Sequence, residues 1–196
     1  MVKDPYLTKQ TLIQRAKNPD DQQAWEEFTA YYTSFIYMVL KRISYNHQDH
    51  DDLAQEILLK LWSKLKKYEP QKYKFRTWLS TVIRNTFLNF IDKKSRQQKR
   101  EEKAFSDTQN DDMESSSQLT QIIQQEWEIF TINLAMERIR PHFSESALTV
   151  FEMILENTPT KEIAEKTSMS ENNICKIKSR IKERLQREVR LINHEA

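Results

Sequence analysis

The chain has 196 residues, of which 38% are hydrophobic and 31% charged, and its formal net charge is +2. This length gives room for two small domains. No stretch approaches the ~20 consecutive apolar residues of a membrane span, so we expect no direct membrane contact. No apolar stretch follows the first positive charge near the N-terminus, so we expect no secretory signal. The chain contains no glycine, which excludes the glycine-rich loops of P-loop nucleotidases and of dinucleotide-binding enzymes.

Apolar residues at three- and four-residue steps predict three amphipathic helices in the first half of the chain. The first follows a cap at Asn18 and has an apolar face over Trp25–Val39. The second spans Leu53–Leu65, and the third runs from about Phe75 to Ser95. Because such helices can bury one another's apolar faces, we predict a first domain over residues 5–96.

An acidic connector follows this domain. From Phe105 to Glu126 the chain has five acidic residues and no basic one. Such a composition cannot bury enough apolar surface to repay the entropy of ordering, which predicts a flexible linker over residues 97–118. Helical pattern resumes at Leu119 and continues after a cap at Ser144, which predicts a second domain over residues 119–194.

Two basic regions flank the acidic connector. Seven basic residues lie between Glu171 and Arg190, and a smaller basic group precedes the connector. The smaller group consists of Lys93, Lys94, Arg96, Lys99 and Arg100. This arrangement is typical of a protein that contacts a phosphate backbone in two places.

The segment Thr160–Arg180 has the pattern of a helix-turn-helix motif, whose second helix enters the major groove of DNA. Thr160 would cap a short first helix, in which the small Ala164 allows the second helix to approach closely. Met169 would fill the turn, and Ser170 would cap the second helix. The alternative is an ordinary helical hairpin with a solvated basic face, but the coincidence of caps, small residue and basic face favours DNA binding.

Base edges would be reached by the asparagines and the lysine near the start of the second helix, because asparagine pairs with adenine and lysine with guanine. Phosphates would be held further along. The residues predicted to form the DNA-binding surface of this motif are Thr160, Lys161, Ser170, Asn172, Asn173, Lys176, Lys178, Ser179, Arg180 and Arg184.

Two motifs in the first domain indicate a family. One runs Asp51-Asp52-Leu53-Ala54-Gln55-Glu56, and the other has Phe75-Arg76-Thr77-Trp78-Leu79 followed by Arg84-Asn85. Together they resemble region 2 of bacterial sigma factors of the extracytoplasmic-function (ECF) group, and residues 139–191 resemble region 4. The resemblance implies an all-α protein of two small domains that binds core RNA polymerase through its clamp coiled coil and its flap. It also implies recognition of a two-part promoter, as double- and single-stranded DNA, in transcription initiation.

The resemblance assigns roles to individual residues of the first domain. The residues that would contact core polymerase are Asp52, Gln55, Glu56 and Leu59. Those that would recognise and melt the −10 element are Arg76, Trp78, Arg84, Asn85, Asn89, Lys93, Lys94 and Arg96. Asn85 would lie near the pocket for a flipped base, whereas Trp78 is more often core than a stacking platform. The basic run after Asn89 is alternatively a solvated helix end.

The resemblance also carries expectations about partners. Many sigma factors of this group are held by an anti-sigma factor, which makes one a candidate partner here. No cofactor, metal, small-molecule substrate or catalytic residue is implied. The second helix of the motif departs from the family pattern, Thr-Val-Lys/Arg-Ser-Arg, because Lys178-Ser179-Arg180 falls three residues late. Its individual base contacts therefore stay open.

Two other functions fit parts of the sequence. A helix-turn-helix regulator would bind duplex operator DNA without acting as a sigma factor. A metal-dependent nuclease would use the histidines and aspartates of residues 47–52, although acidic residues there also stabilise the start of a helix through its dipole. The single cysteine, Cys175, can form neither an intrachain disulfide nor a zinc cluster, which favours a reducing, cytoplasmic setting.

Overall fold

The computed structural model describes residues 9–43, 47–101 and 112–195, with side chains over 12–43, 48–97 and 117–193. Within these ranges the protein contains eight α-helices, two short 3-10 turns and no strand, which confirms the predicted all-α class. The helices are α1 Lys9–Ala16, α2 Gln22–Ile43, α3 His50–Leu65, α4 Phe75–Glu101, α5 Asp112–Ile139, α6 Glu145–Leu155, α7 Thr160–Thr167 and α8 Glu171–Glu195. In the described part of the chain, none of them is both long enough and apolar enough to cross a membrane.

The internal contacts divide the chain into an N-terminal unit that ends at Glu128 and a C-terminal unit over Ile129–Glu195. The core of the N-terminal unit surrounds α2. The buried residues of α2 are Ala24, Phe28, Tyr32, Phe35, Ile36, Val39 and Leu40. Phe75, the first residue of α4, is 1% exposed and packs against Phe28 and Tyr32, with ring centroids 5.9 and 5.1 Å apart. Aromatic pairs of this kind contribute about 0.5–1.5 kcal/mol each beyond their burial.

The cap of α2 differs from the predicted one. The Asp21 carboxylate accepts a hydrogen bond from the Ala24 backbone N–H at 2.9 Å, so Asp21 and not Asn18 caps this helix. Arg15 of α1 donates to the same carboxylate at 3.0 Å, and this hydrogen bond holds the pKa of Asp21 below its ordinary value. The predicted cap is wrong because α1 ends two residues before Asn18, whose side chain accepts instead from the Asp20 N–H in the intervening turn.

Helices enter the predicted linker from both sides. Helix α4 continues to Glu101 and α5 begins at Asp112, while residues 102–111 lie outside the described part. Helical backbone therefore covers residues 97–101 and 112–118 of the predicted linker, and the contact division after Glu128 falls inside the predicted second domain.

The reason is that the first part of α5 has an apolar face that packs on the N-terminal unit. The indole of Trp127 is 1% exposed and meets the Phe35 ring edge-on, with centroids 5.2 Å apart. One residue earlier, the Glu126 carboxylate is 8% exposed and lies 3.6 Å from the guanidinium of Arg42. These contacts place the first part of α5 in the N-terminal unit, which the sequence pattern does not predict.

Replacing Trp127 by alanine tests this packing. Because a fully buried indole is lost, we expect the free energy of unfolding of the N-terminal unit to fall by about 3 kcal/mol. Urea unfolding can be followed by the fluorescence of Trp25, Trp62 and Trp78, which all lie in this unit. The control Ile129→Ala, at a side chain that is 46% exposed, should cost less than about 0.5 kcal/mol. Equal small losses in both variants would show that α5 does not stabilise this unit.

Candidate nucleic-acid and protein interfaces

Helix α3 of the N-terminal unit has one buried and one exposed side. Its inner side is formed by Leu53, Ile57, Leu61 and Leu65, each at most 1% exposed. The predicted polymerase contacts Asp52, Gln55, Glu56 and Leu59 recur at three- and four-residue steps, so they share about a third of the helix circumference on the opposite side. Leu59 is 69% exposed. The structure therefore brings this predicted set together on one face, which we call the α3 face.

The start of α3 is linked to two other helices. The Tyr37 hydroxyl of α2 donates to the Asp51 carboxylate at 2.7 Å, and this hydrogen bond raises the pKa of Tyr37. The Asp49 carboxylate accepts from the ammonium group of Lys94 in α4. Both carboxylates thus serve as tertiary links.

The nuclease interpretation has no support in the described residues, because they contain no group of three possible metal ligands. The His47 side chain lies outside the described side chains.

Helix α4 also has one buried and one exposed side. Its buried residues are Phe75, Leu79, Val82, Ile83 and Thr86. Beside this buried row Asn85 and Asn89 are exposed and Arg84 is half-buried. The Nε and Nη2 groups of Arg84 each donate to Oδ1 of Asn85 at 3.4 Å, which leaves the Asn85 amide NH2 to donate to a ligand. A side-chain amide held in this way can recognise the acceptor atoms of a base.

The predicted −10 set does not form one surface. Arg76 and Lys94 each lie nine residues from Asn85, which is about two and a half helical turns, so their side chains leave α4 on the opposite side. Arg96 lies on the Asn85 side and is exposed, with Asp92 3.7 Å away. Lys93 is exposed between these two directions, seven residues after Thr86 and beyond the last buried residue of α4.

Trp78 belongs to the aromatic core rather than to an open stacking surface. It is half-buried, and its ring centroid lies 5.2 Å from that of Tyr68 and 5.4 Å from that of Phe75. Burial raises the pKa of Tyr68, whose hydroxyl donates to the Tyr73 carbonyl at 2.9 Å. Trp78 thereby holds the loop before α4 against the helix.

The C-terminal unit contains the predicted helix-turn-helix, formed by α7 and α8. Ile163 of α7 and Ile174 of α8 are buried against Val150 of α6, and Ala164 and Met169 pack on this cluster. The N-terminus of α8 is capped as predicted, because Ser170 Oγ accepts a hydrogen bond from the Asn173 N–H at 3.3 Å.

The cap of α7 is the exception. Thr160 is the first residue of this helix and makes no side-chain cap, because the N-cap position is occupied by Pro159. The Pro159 carbonyl accepts from the Ile163 N–H at 3.0 Å. The predicted capping role of Thr160 is therefore wrong, while Thr160 and the exposed Lys161 remain at the start of α7, where the prediction puts contacts to DNA.

Most of the predicted contacts of α8 share its exposed side. Ile174 and Ile181 fix the inner side. On the outer side lie Asn172, Asn173, Lys176, Ser179, Arg180 and Arg184, all exposed. Lys178 is also exposed, but it follows Lys176 by two residues and is therefore turned about 200° around the helix axis. The structure separates Lys178 from the rest of the predicted set.

This separation gives a matched pair of variants. Lys176→Ala should weaken binding of the complete protein to duplex DNA that carries its recognition sequence by about 1–3 kcal/mol, because a base contact is lost. Lys178→Ala removes the same charge from the other side of α8 and should change affinity less than threefold. Fluorescence anisotropy at matched salt measures both. Equal losses would show that α8 does not present its Asn172–Lys176 side to DNA.

Sequence reasoning missed the partners that belong to another helix. The sequence presents Asp49 as a helix-start residue or metal ligand, whereas in the structure it pairs with Lys94, 45 residues away. The Glu126–Arg42 pair likewise joins α5 to α2. No local pattern signals such pairs.

Comparison with known proteins agrees with the geometry of the N-terminal unit. Residues 28–97, from the middle of α2 into α4, match the family described as sigma-70 region 2. A stretch of 73 residues, 37% of this chain, is 27% identical to the ECF RNA polymerase sigma factor SigE of Mycolicibacterium smegmatis. That stretch spans 28% of the length of the relative. The resemblance of the first domain is thereby confirmed, while that of residues 139–191 to region 4 stays a prediction.

Proposed function

We propose that this chain, whose residues 28–97 belong to the sigma-70 region 2 family, is an alternative sigma factor of the ECF group. It binds core RNA polymerase in the cytoplasm and directs initiation at a two-part promoter without catalysing a reaction itself. The observation that carries the proposal is the pair of outward faces on neighbouring helices: the α3 face for a protein and the Asn85 side of α4 for DNA. A regulator that acted through its helix-turn-helix alone would need neither.

The α3 face suits a helical protein partner. Leu59 supplies an exposed apolar side chain for the contact. Around it lie the carboxylates of Asp52 and Glu56, which accept hydrogen bonds, and the side-chain amide of Gln55. Exposed leucines are common, so the support comes from the combination with the sigma-70 region 2 match. The clamp coiled coil of core polymerase is the partner that this match favours.

The outer side of α4 suits a melted strand. Opening a duplex costs a few kcal/mol for each base that is extruded, and the protein must repay this cost by binding the extruded base. Asn85 offers an oriented amide for that purpose, while Arg96 and Lys93 can neutralise phosphates. Helix α8 would bind the −35 element as duplex.

The polymerase contact is tested by Leu59→Ser. Because this side chain is 69% exposed, the substitution should leave the fold intact and weaken binding to purified core polymerase at least about tenfold. Binding is also measured to the isolated clamp coiled coil, where the control Leu155→Ser, at a leucine that is 62% exposed in the C-terminal unit, should keep the wild-type affinity. A variant at Leu59 that binds the clamp as tightly as the wild type would place the polymerase interface elsewhere.

The melting role is tested by Asn85→Ala. We expect the closed complex to form with an affinity within about twofold of wild type and open complexes to fall about tenfold, since only the extruded base loses a partner. Permanganate reactivity of the promoter measures opening, and filter binding at low temperature measures the closed complex. Thr81→Ala is the control, because Thr81 is exposed one turn earlier and its hydroxyl donates to the Thr77 carbonyl of its own helix. Parallel loss of both steps would rule out a selective role in opening.

A further inference from the structure

The Asp49 carboxylate is used in an unusual way for its position. Asp49 is the N-cap residue of α3, yet its side chain makes no capping hydrogen bond. An N-cap side chain contributes about 1 kcal/mol to a helix. Here the carboxylate accepts instead from Lys94 of α4, and the two side chains are 22% and 41% exposed. Asp49 thus makes a tertiary ion pair in place of a local capping hydrogen bond.

The ion pair attaches a part of α4 that lies beyond the last fully buried residue of this helix. The fully buried residues of α4 end at Thr86. Among the described residues 92–97, Lys94 is half-buried and the others are exposed. The predicted basic end of the DNA-binding helix is therefore attached to the start of α3 through Lys94. The neighbouring Asp51–Tyr37 hydrogen bond fixes that same start to α2.

The position of Lys94 also separates it from its basic neighbours. It leaves α4 on the side opposite Asn85, whereas Arg96 shares the Asn85 side. A cation that is already paired with a carboxylate releases few counterions from the nucleic acid, because it would have to leave that pair before it could neutralise a phosphate. Lys93 has no such tertiary carboxylate among the described side chains.

We propose that Asp49 is a positioning residue for promoter DNA: through Lys94 it fixes the direction in which the basic end of α4 leaves the core, and it withholds Lys94 from phosphate contact. The inference rests on the proposed function. In this arrangement Arg96 and Lys93 meet the strand, while Lys94 serves as a tether. A residue next to the α3 face thereby determines where α4 directs its charges.

The salt dependence of DNA binding distinguishes a tether from a phosphate contact. The complete chain is titrated with a short fluorescent single strand of mixed sequence at several salt concentrations. Lys93→Gln should reduce the slope of log K against log salt by about 0.7, whereas Lys94→Gln should leave the slope within about 0.2 of wild type. Asp49→Asn should steepen the slope by about 0.7, because Lys94 is released. The Asp49→Asn effect should vanish in a Lys94→Gln background.

Asp92→Asn is the matched control, since it removes the same charge from α4 beside Arg96. Its effect should be the same with Lys94 or Gln at position 94. A Lys94→Gln slope that falls as far as that of Lys93→Gln, or an Asp49→Asn effect that persists without Lys94, would overturn the proposal. If Lys93→Gln and Arg96→Gln also leave the slope unchanged, the failure lies with the proposed DNA interface of α4 instead.

A second readout separates positioning from folding. Asp49→Asn in holoenzyme should slow promoter opening at least threefold although DNA affinity rises, and the exchange Asp49→Lys with Lys94→Asp should restore most of the opening rate. Far-UV circular dichroism melting of each variant should stay close to wild type, because a half-exposed ion pair contributes little to global stability. Opening that is unchanged in Asp49→Asn would contradict the positioning role.

Discussion

The N-terminal unit depends on the aromatic contact between the start of α4 and the middle of α2. Phe75 is inserted between the helices and meets the rings of Phe28, Tyr32 and Tyr68. Because an α-helix is rigid over this length, fixing its first turn determines which side of all later turns remains in solvent. The exposure of Asn85 and the burial of Thr86 follow from this contact.

The same core orients α3, so the two outward faces cannot be adjusted independently. Leu53, Ile57 and Leu61 are buried, which leaves the α3 face to the outside. The polar links at the start of α3 then join it to α2 through Tyr37 and to α4 through Lys94. A partner bound to the α3 face would therefore contact a unit in which α4 is attached both at its aromatic start and near its basic end.

Much of this architecture is readable from the sequence because it is local. Periodicity predicts α2, α3 and α4, and a short motif predicts the α7–α8 turn with its Ser170 cap, since these features depend on neighbours within four residues. The two incorrectly predicted helix caps also have local causes. The Asp21 carboxylate accepts a hydrogen bond from Arg15 of α1, a short helix whose sequence pattern is weak. Pro159 occupies the N-cap position that the prediction assigns to Thr160.

What the sequence does not predict depends on distant partners or on unusual backbone. The helical pattern that resumes at Leu119 does not show that Trp127 packs against Phe35 of the N-terminal unit. In this glycine-free chain Ser168 adopts a left-handed conformation, with φ of 55°, to make the turn between α7 and α8. Most residues other than Gly, Asn and Asp avoid this left-handed region. Periodicity also does not predict that Lys94 pairs with a carboxylate, because a run of basic residues has the same sequence pattern whether it contacts phosphate or protein.

Transcription in a purified system measures the central claim most directly. The complete chain is added to core RNA polymerase on fragmented genomic DNA of its source organism, and the start sites are mapped. The account predicts transcripts that begin downstream of one shared two-part sequence and that are absent with core polymerase alone. Core polymerase that binds the chain but starts no specific transcript on any fragment would contradict it.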